Sequence, residues 1–255
     1  GQIDSDSIIK LIRENQVGFD QLISIEAPKI PDHDLSVQIF NKDGSKAENC
    51  INGARCLAKY ALDSGLISKN EFLVGTNNRT WKIYSHQNAE YSVEQEVPDF
   101  LKGKELLPTP NNSDIHELQI SDIKIEVGYV NLGNPHVVFF VDDVSSVPIE
   151  RLGPSLETDP IFPKHANIGV ASIIDPRGKI RLRVWERGAG LTPACGTGAC
   201  AALVAAHRRG ICDREAEVLL DGGKLYIRWQ ENDHIIMTGP ATITFVGEIE
   251  ASLLT

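Results

Sequence analysis

The chain has 255 residues, 42% hydrophobic and 24% charged, which is enough for one large or two medium domains with buried cores. Its formal net charge of −10 argues against nucleic acid or an anionic membrane surface as the main partner. No stretch is apolar over the roughly 18 residues that a membrane span needs, and the five cysteines show neither C-x-x-C nor zinc-type spacing. An odd count without a disulfide framework fits a reducing cytosol, so a cytoplasmic protein is expected.

In chain order, Phe19–Ile25 and the alternating run Leu35–Phe40 read as strands. A Gly-containing loop leads to Cys50, a small-residue turn, and a helix-favouring run over Ala54–Ser64 that Gly65 closes. Apolar Phe72–Val74, a turn at Asn77-Asn78 and a strand at Trp81–Tyr84 follow. The stretch Pro98–Asp114, rich in Pro, Asn and charge, has the composition of a linker. Hydrophobic periodicity resumes over Ile115–Val127.

The same succession then repeats. Laying Cys50 on Cys195, an offset of 145 residues, puts Ile39-Phe40 on Val184-Trp185, Asn41 on Glu186, Gly53-Ala54 on Gly198-Ala199, and Gly65 on Gly210. A strand at Ile180–Trp185 precedes Cys195, and a helix at Ala199–Arg209 follows it. Val218–Leu220, a turn at Gly222-Gly223 and Leu225–Trp229 complete the copy; Ala166–Ser172 answers Phe19–Ile25 with a slip of one residue. A period this long excludes a solenoid and describes two similar α/β halves. They are expected to be 1–98 with 242–255, and 99–241.

Each of Cys50 and Cys195 stands immediately before a helix, among residues small enough to expose backbone N–H groups. A helix N-terminus carries unsatisfied donors and partial positive charge, which can stabilise a thiolate and lower its pKa from an ordinary value of roughly 8.5. The same donors bind carboxylates. Two such termini across a cleft would hold an amino acid with one sulfur on each side of its α-carbon. One thiolate would remove the α-proton and the opposite thiol would deliver another. There is no strand-linked G-x-G-x-x-G, no phosphate-binding loop and no clear metal cluster, so no cofactor and no metal are expected. Cys56, Cys200 and Cys212, within or just after helical runs, read as core packing.

Seven segments then point to one family. A-C-G-T-G-A-C-A-A (194–202), E-R-G-A-G (186–190), G-N-P-H (133–136), A-N-I-G (166–169), M-T-G-P-A (237–241), N-K-D-G-S (41–45) and G-F-D-Q (18–21) resemble diaminopimelate epimerase, in that family's order and over most of the chain. The resemblance implies an α/β fold of two pseudo-symmetric domains, each a mixed β-sheet or barrel around a central helix, with the active site in the cleft between them. It implies inversion of LL-2,6-diaminopimelate to the meso form without pyridoxal phosphate, in lysine and peptidoglycan precursor synthesis. Cys50 and Cys195 would be the acid/base pair, with His136 and Glu186 modulating the thiols or contacting the α-amine. Gln21, Asn41, Ile51, Asn52, Asn134, Asn167, Glu186, Arg187, Gly196 and Thr197 would contact substrate. Arg187 offers a planar fork to the distal carboxylate.

Three departures from the family pattern stand out. Its C-G-N-G is here C-I-N-G, so Ile51 either strains the backbone or crowds the pocket. Its opening G-x-G-N-D-F segment has no counterpart, and a first strand is expected upstream of Gly1. A Tyr that members often carry near the C-terminus for dimer contact is Phe245, although a homodimer remains the expectation. Two alternatives stay open. One is a related cofactor-free racemase of another amino acid, which Ile51 keeps in play although proline racemase and hydroxyproline epimerase lack this set of segments around N-P-H and E-R-G. The other is a catalytically weakened amino-acid-binding homologue that retains the cleft.

Overall fold

The computed structural model describes residues 18–47, 50–77, 79–100, 115–120 and 123–248. The chain separates into two compact units, 1–93 with 240–255, and 94–239. Most of the expected linker, Pro98–Asp114, lies outside the described residues, as does Asn78 of the expected first turn.

In the first unit, β1 (Gln21–Glu26) pairs antiparallel with β2 (Leu35–Asn41), which pairs in parallel with β3 (Glu71–Gly75). Then β3 pairs antiparallel with β4 (Thr80–Ser85), and β5 (Glu90–Gln95) follows beside β4. The parallel step from β2 to β3 requires a crossover, and helix α1 (Ile51–Asp63) supplies it. Its apolar residues Ala54, Leu57, Ala58 and Ala61 recur at helical spacing and are buried, which gives it one face for the sheet.

The second unit is a mixed sheet in the order β14 (Ile235–Pro240), β13 (Gly223–Trp229), β12 (Glu215–Leu220), β10 (Lys179–Glu186), β9 (Asn167–Asp175), β8 (Pro135–Phe140), β7 (Ile123–Asn131), β6 (Ile115–Ile120). The short β11 (Gly190–Thr192) folds back on β10. Helix α2 (Ile149–Glu157) packs against β9, β10 and β11. Helix α3 (Gly196–Arg208) touches β7, β8, β9, β10, β12 and β13, and it is buried continuously from Gly196 to Ala206. Of its eleven buried residues, Gly196 to Ala206, all but Thr197, Leu203 and Val204 are Gly, Ala or Cys, so most of its surface lets the strands come close. A Cβ on Gly128 of β7, for instance, would stand 2.7 Å from that of Ala205. This unit is the expected sheet around a central helix.

The internal repeat is written into the pairing. Leu35 pairs in parallel with Val74, and Ile180, which the repeat lays on Leu35, pairs in parallel with Val218. Helices α1 and α3 are each 13 residues long and start one residue after their cysteine. Both stop at a left-handed glycine, Gly65 at φ 73° and Gly210 at φ 70°. The helices were expected to begin at Ala54 and Ala199. They begin one turn earlier because the small-residue turn after each cysteine is itself helical, with the sulfur as its cap. Cys200 and Cys212 are buried as expected, whereas Cys56 is exposed. It falls between the buried positions Ala54 and Leu57, off the apolar stripe of α1. Among the described residues, no helix is long and apolar enough to cross a membrane.

Candidate active site

In the first unit the candidate residues gather at one end of the β1–β2 pair. Gln21 and Asn41 are cross-strand partners, and Gln21 Nε2 donates to Asn41 Oδ1 at 3.0 Å. The following loop ends at Cys50, the N-cap of α1, whose Sγ accepts from Gly53 N–H at 3.3 Å. Sulfur is a weak acceptor, so a cysteine caps less well than Ser or Asp would; capping strength does not explain its presence. A Cβ on Gly53 would stand 2.8 Å from that sulfur and 2.6 Å from Ile23 Cδ1. Glycine is therefore what lets the thiol lie over the first turn.

Ile51 and Asn52 are the first two residues of α1. Ile51 is 3% exposed and is not among the residues with positive φ. Of the two effects expected from Ile in place of Gly, the structure leaves crowding and removes backbone strain. Asn52 Oδ1 accepts from Arg55 Nη2 at 3.0 Å, while Arg55 Nη1 donates to the carbonyl of Pro240, at 3.1 Å. The M-T-G-P-A segment thus steadies the start of α1.

The second unit repeats the device and surrounds it more fully. Cys195 caps α3, its Sγ accepting from Gly198 N–H at 3.4 Å. A Cβ on Gly198 would lie 3.2 Å from the sulfur and 3.0 Å from Val184 Cγ2. Gly196 and Thr197, the first two helical residues, take the places of Ile51 and Asn52. Thr197 Oγ1 lies 3.6 Å from Cys195 Sγ and accepts from Asn134 Nδ2 at 3.2 Å. Asn134 Oδ1 in turn lies 3.3 Å from His136 Nε2. A polar chain therefore runs from His136 through Asn134 and Thr197 to the sulfur, and it is consistent when the imidazole is neutral with its proton on Nε2.

His136 on β8 is paired with Asn167 on β9. Asn167 Nδ2 donates to the Pro135 carbonyl at 2.8 Å and its Oδ1 accepts from Arg187 N–H at 3.0 Å. One amide thereby ties the N-P-H, A-N-I-G and E-R-G segments together. Arg187 Nη1 donates to the Lys164 carbonyl at 2.9 Å. Glu186, at the end of β10, accepts a short hydrogen bond from Thr192 Oγ1.

Burial and then the nearby Arg187 charge push the His136 pKa down to about 3, so the ring is neutral near pH 7. Cys195 goes the other way. Burial first, then the Glu186 carboxylate, push its thiol well above the ordinary range, against weaker pulls from Thr197 and Gly198 N–H. The expectation that the helix N-terminus lowers its pKa is thus corrected. With 3% of the residue exposed and a negative charge beside it, desolvation and repulsion exceed the helix-end effect. Cys195 therefore rests as a thiol beside the Glu186 side chain.

Two residues that sequence reasoning did not single out complete this half. Trp185 precedes Glu186, and its Nε1–H donates to Glu157 Oε2 at 2.7 Å. Glu157 Oε1 accepts from Gly188 N–H at 2.9 Å. Neither residue lies in a segment whose spacing signals chemistry; only the fold brings them to the E-R-G turn.

The family model described as diaminopimelate epimerase matches residues 7–99 and 128–244. A diaminopimelate epimerase of Pseudomonas savastanoi pv. phaseolicola is 40% identical over 238 residues, covering 93% of this chain and 86% of the relative. Among solved structures, a probable proline racemase from Agrobacterium radiobacter K84 matches with TM-score 0.65 at 14% identity, over 97% of this chain and 81% of the other. A putative phenazine biosynthesis PhzC/PhzF protein from Clostridium difficile matches with TM-score 0.67 at 12% identity, over 98% and 90%. At such low identity the structural likenesses show a common fold.

Proposed function

The chain belongs to the diaminopimelate epimerase family, and from that premise we propose that Cys50 and Cys195 are the two bases that invert the α-carbon of LL-2,6-diaminopimelate to the meso form. The chain is an isomerase acting in lysine biosynthesis. The observation that carries the mechanistic reading is the duplicated cap. In both units a cysteine ends the same strand–loop, opens a 13-residue helix and accepts the N–H three residues on. Two equivalent thiols, each at the positive end of a helix, match a reaction that needs one proton acceptor and one donor.

When Cys195 acts as base, its own proton must leave first. Glu186 is the group beside it that accepts it, and the resulting thiolate then takes the α-hydrogen as its electron pair passes into the substrate carboxylate. First-turn N–H groups at a helix N-terminus stabilise the charge growing there. The Cys50 thiol delivers its proton to the opposite face, and the sulfurs and Glu186 regain their starting states through solvent after product leaves. In the reverse direction the two sulfurs exchange roles. Arg187, whose charge is felt at His136, presents its guanidinium to the distal end of the substrate. Neutral His136 orients Asn134 and Thr197 without adding a positive charge that would compete for the carboxylate.

The substrate is tested by incubating the protein with LL-diaminopimelate, proline, hydroxyproline and other amino acids in D2O and following α-deuterium. Exchange confined to diaminopimelate is expected; exchange with another amino acid instead, or saturable binding with no exchange, would overturn the assignment.

A further inference from the structure

Glu157 is a buried carboxylate that the reaction itself leaves unused. It is the last residue of α2, and its two oxygens are divided between two parts of one turn, one on the Trp185 indole N–H and the other on Gly188 N–H. Between these anchors lie Glu186 and Arg187. Gly188 has φ 75°, a left-handed conformation, so its N–H direction belongs to a turn that few other residues would adopt. One helical turn before Glu157, Gly153 lies against the indole, where a Cβ would stand 2.4 Å from Trp185 Cδ2. The helix therefore grips Trp185 twice, by its ring face and by its N–H. A second route runs through the backbone. The Glu157 carbonyl accepts from Ala166 N–H at 3.2 Å, steadying the segment whose Lys164 carbonyl receives Arg187 Nη1. His165 Nδ1 lies 3.9 Å from Glu157 Oε1 at the outer side.

We propose that Glu157 is a positioning residue for epimerisation, fixing the turn that sets Glu186 beside Cys195 and Arg187 toward the substrate. Hydrogen bonds to an ionised acceptor are the stronger kind, and a buried carboxylate that receives two of them on either side of a catalytic pair holds that pair in one geometry. Small misplacements of a positioned group cost catalysis steeply. The helix α2 thus reaches the chemistry although none of its residues touches the reacting atoms.

The proposal is tested in the full chain with Glu157→Ala, Glu157→Gln and Trp185→Phe, the last keeping the ring on Gly153 while losing one of the two bonds. A substrate-free readout is iodoacetamide alkylation at pH 8, followed by mass spectrometry of the Cys195 peptide. With the turn released, Glu186 no longer opposes the thiolate, and Cys195 should alkylate about fivefold faster in Glu157→Ala. Cys200, fully buried on the same helix, should stay unlabelled and so report against general loosening. Gln, which keeps one acceptor, should restore part of the wild-type behaviour. The kinetic readout rests on the proposed function: kcat should fall about tenfold or more and KM should rise, since both Glu186 and Arg187 move. Variants with wild-type alkylation and kinetic constants that lose only thermal stability would overturn the positioning role. Absence of turnover in the wild type would instead overturn the substrate reading, while the alkylation series still decides the role of Glu157.

Discussion

Alanine at either Cys50 or Cys195 is expected to lower epimerisation by at least about 10³-fold, the middle of the range that one positioned acid or base contributes. In a two-base inversion each sulfur is used in every turnover, one to remove the proton and one to supply it, so neither variant should retain a slow wild-type-like cycle. Since the overall equilibrium is unaffected by the enzyme, kcat/KM must fall by the same factor in both directions. Folding should survive. Each substitution removes a weak sulfur cap from the start of a helix, worth at most about 1 kcal/mol, and leaves Gly53 or Gly198 N–H short of its acceptor. Rates measured from both epimers, beside thermal melts, separate the two effects. Full activity in either variant would reject the assignment.

Acid should destabilise the protein through His136 well before most carboxylates titrate. The unfolded chain takes up this proton near the ordinary value of 6.5, whereas the folded state takes it up only near 3. Between those values the unfolded state binds more protons, so stability is complete above about pH 6.5 and declines as pH falls toward 3. The group is 1% exposed, so solvent screening reduces the effect little, and from pH 7 to 4.5 it amounts to about 3 kcal/mol. Carboxylates such as Glu26 and Asp34, whose pKa values are lowered, lose their contributions with the same sign, but mainly below this window. Urea unfolding at pH 7 and 4.5 should show the loss in the wild type, and His136→Gln, which cannot titrate, should flatten it. An equal decline in both proteins would place the acid sensitivity elsewhere.

Much of this arrangement was legible from the residues. Two alternating runs, Leu35–Phe40 and Ile180–Trp185, each led to a cysteine and a helix ended by glycine. The strands and helices formed there, whereas the parallel pairing of Leu35 and Ile180 with later strands came only with the structure. Such signals are local and periodic, which is the kind a sequence carries. Helix α2 was hidden because it contains Gly153 and Pro154, residues that weigh against helix when read alone. In the structure, Gly153 is there to admit the Trp185 ring. Glu157 was hidden for another reason: its partners lie 28 and 31 residues away. The Cys195 pKa shows another limit. Position before a helix was visible, but burial and the approach of Glu186 arise only once β10 and α3 are packed. Cys56 failed in the opposite way, since its helix was read correctly and its face was not.

The two-base claim meets its most direct test in the isotopic content of product and of recovered substrate during the first few per cent of turnover in D2O. If separate thiols serve the two faces, each new meso molecule carries one solvent deuterium at the inverted carbon, while unreacted LL-diaminopimelate keeps its original hydrogen there. Deuterium accumulating equally in recovered substrate and product would mean that one group handles both faces, contradicting the assignment of Cys50 and Cys195.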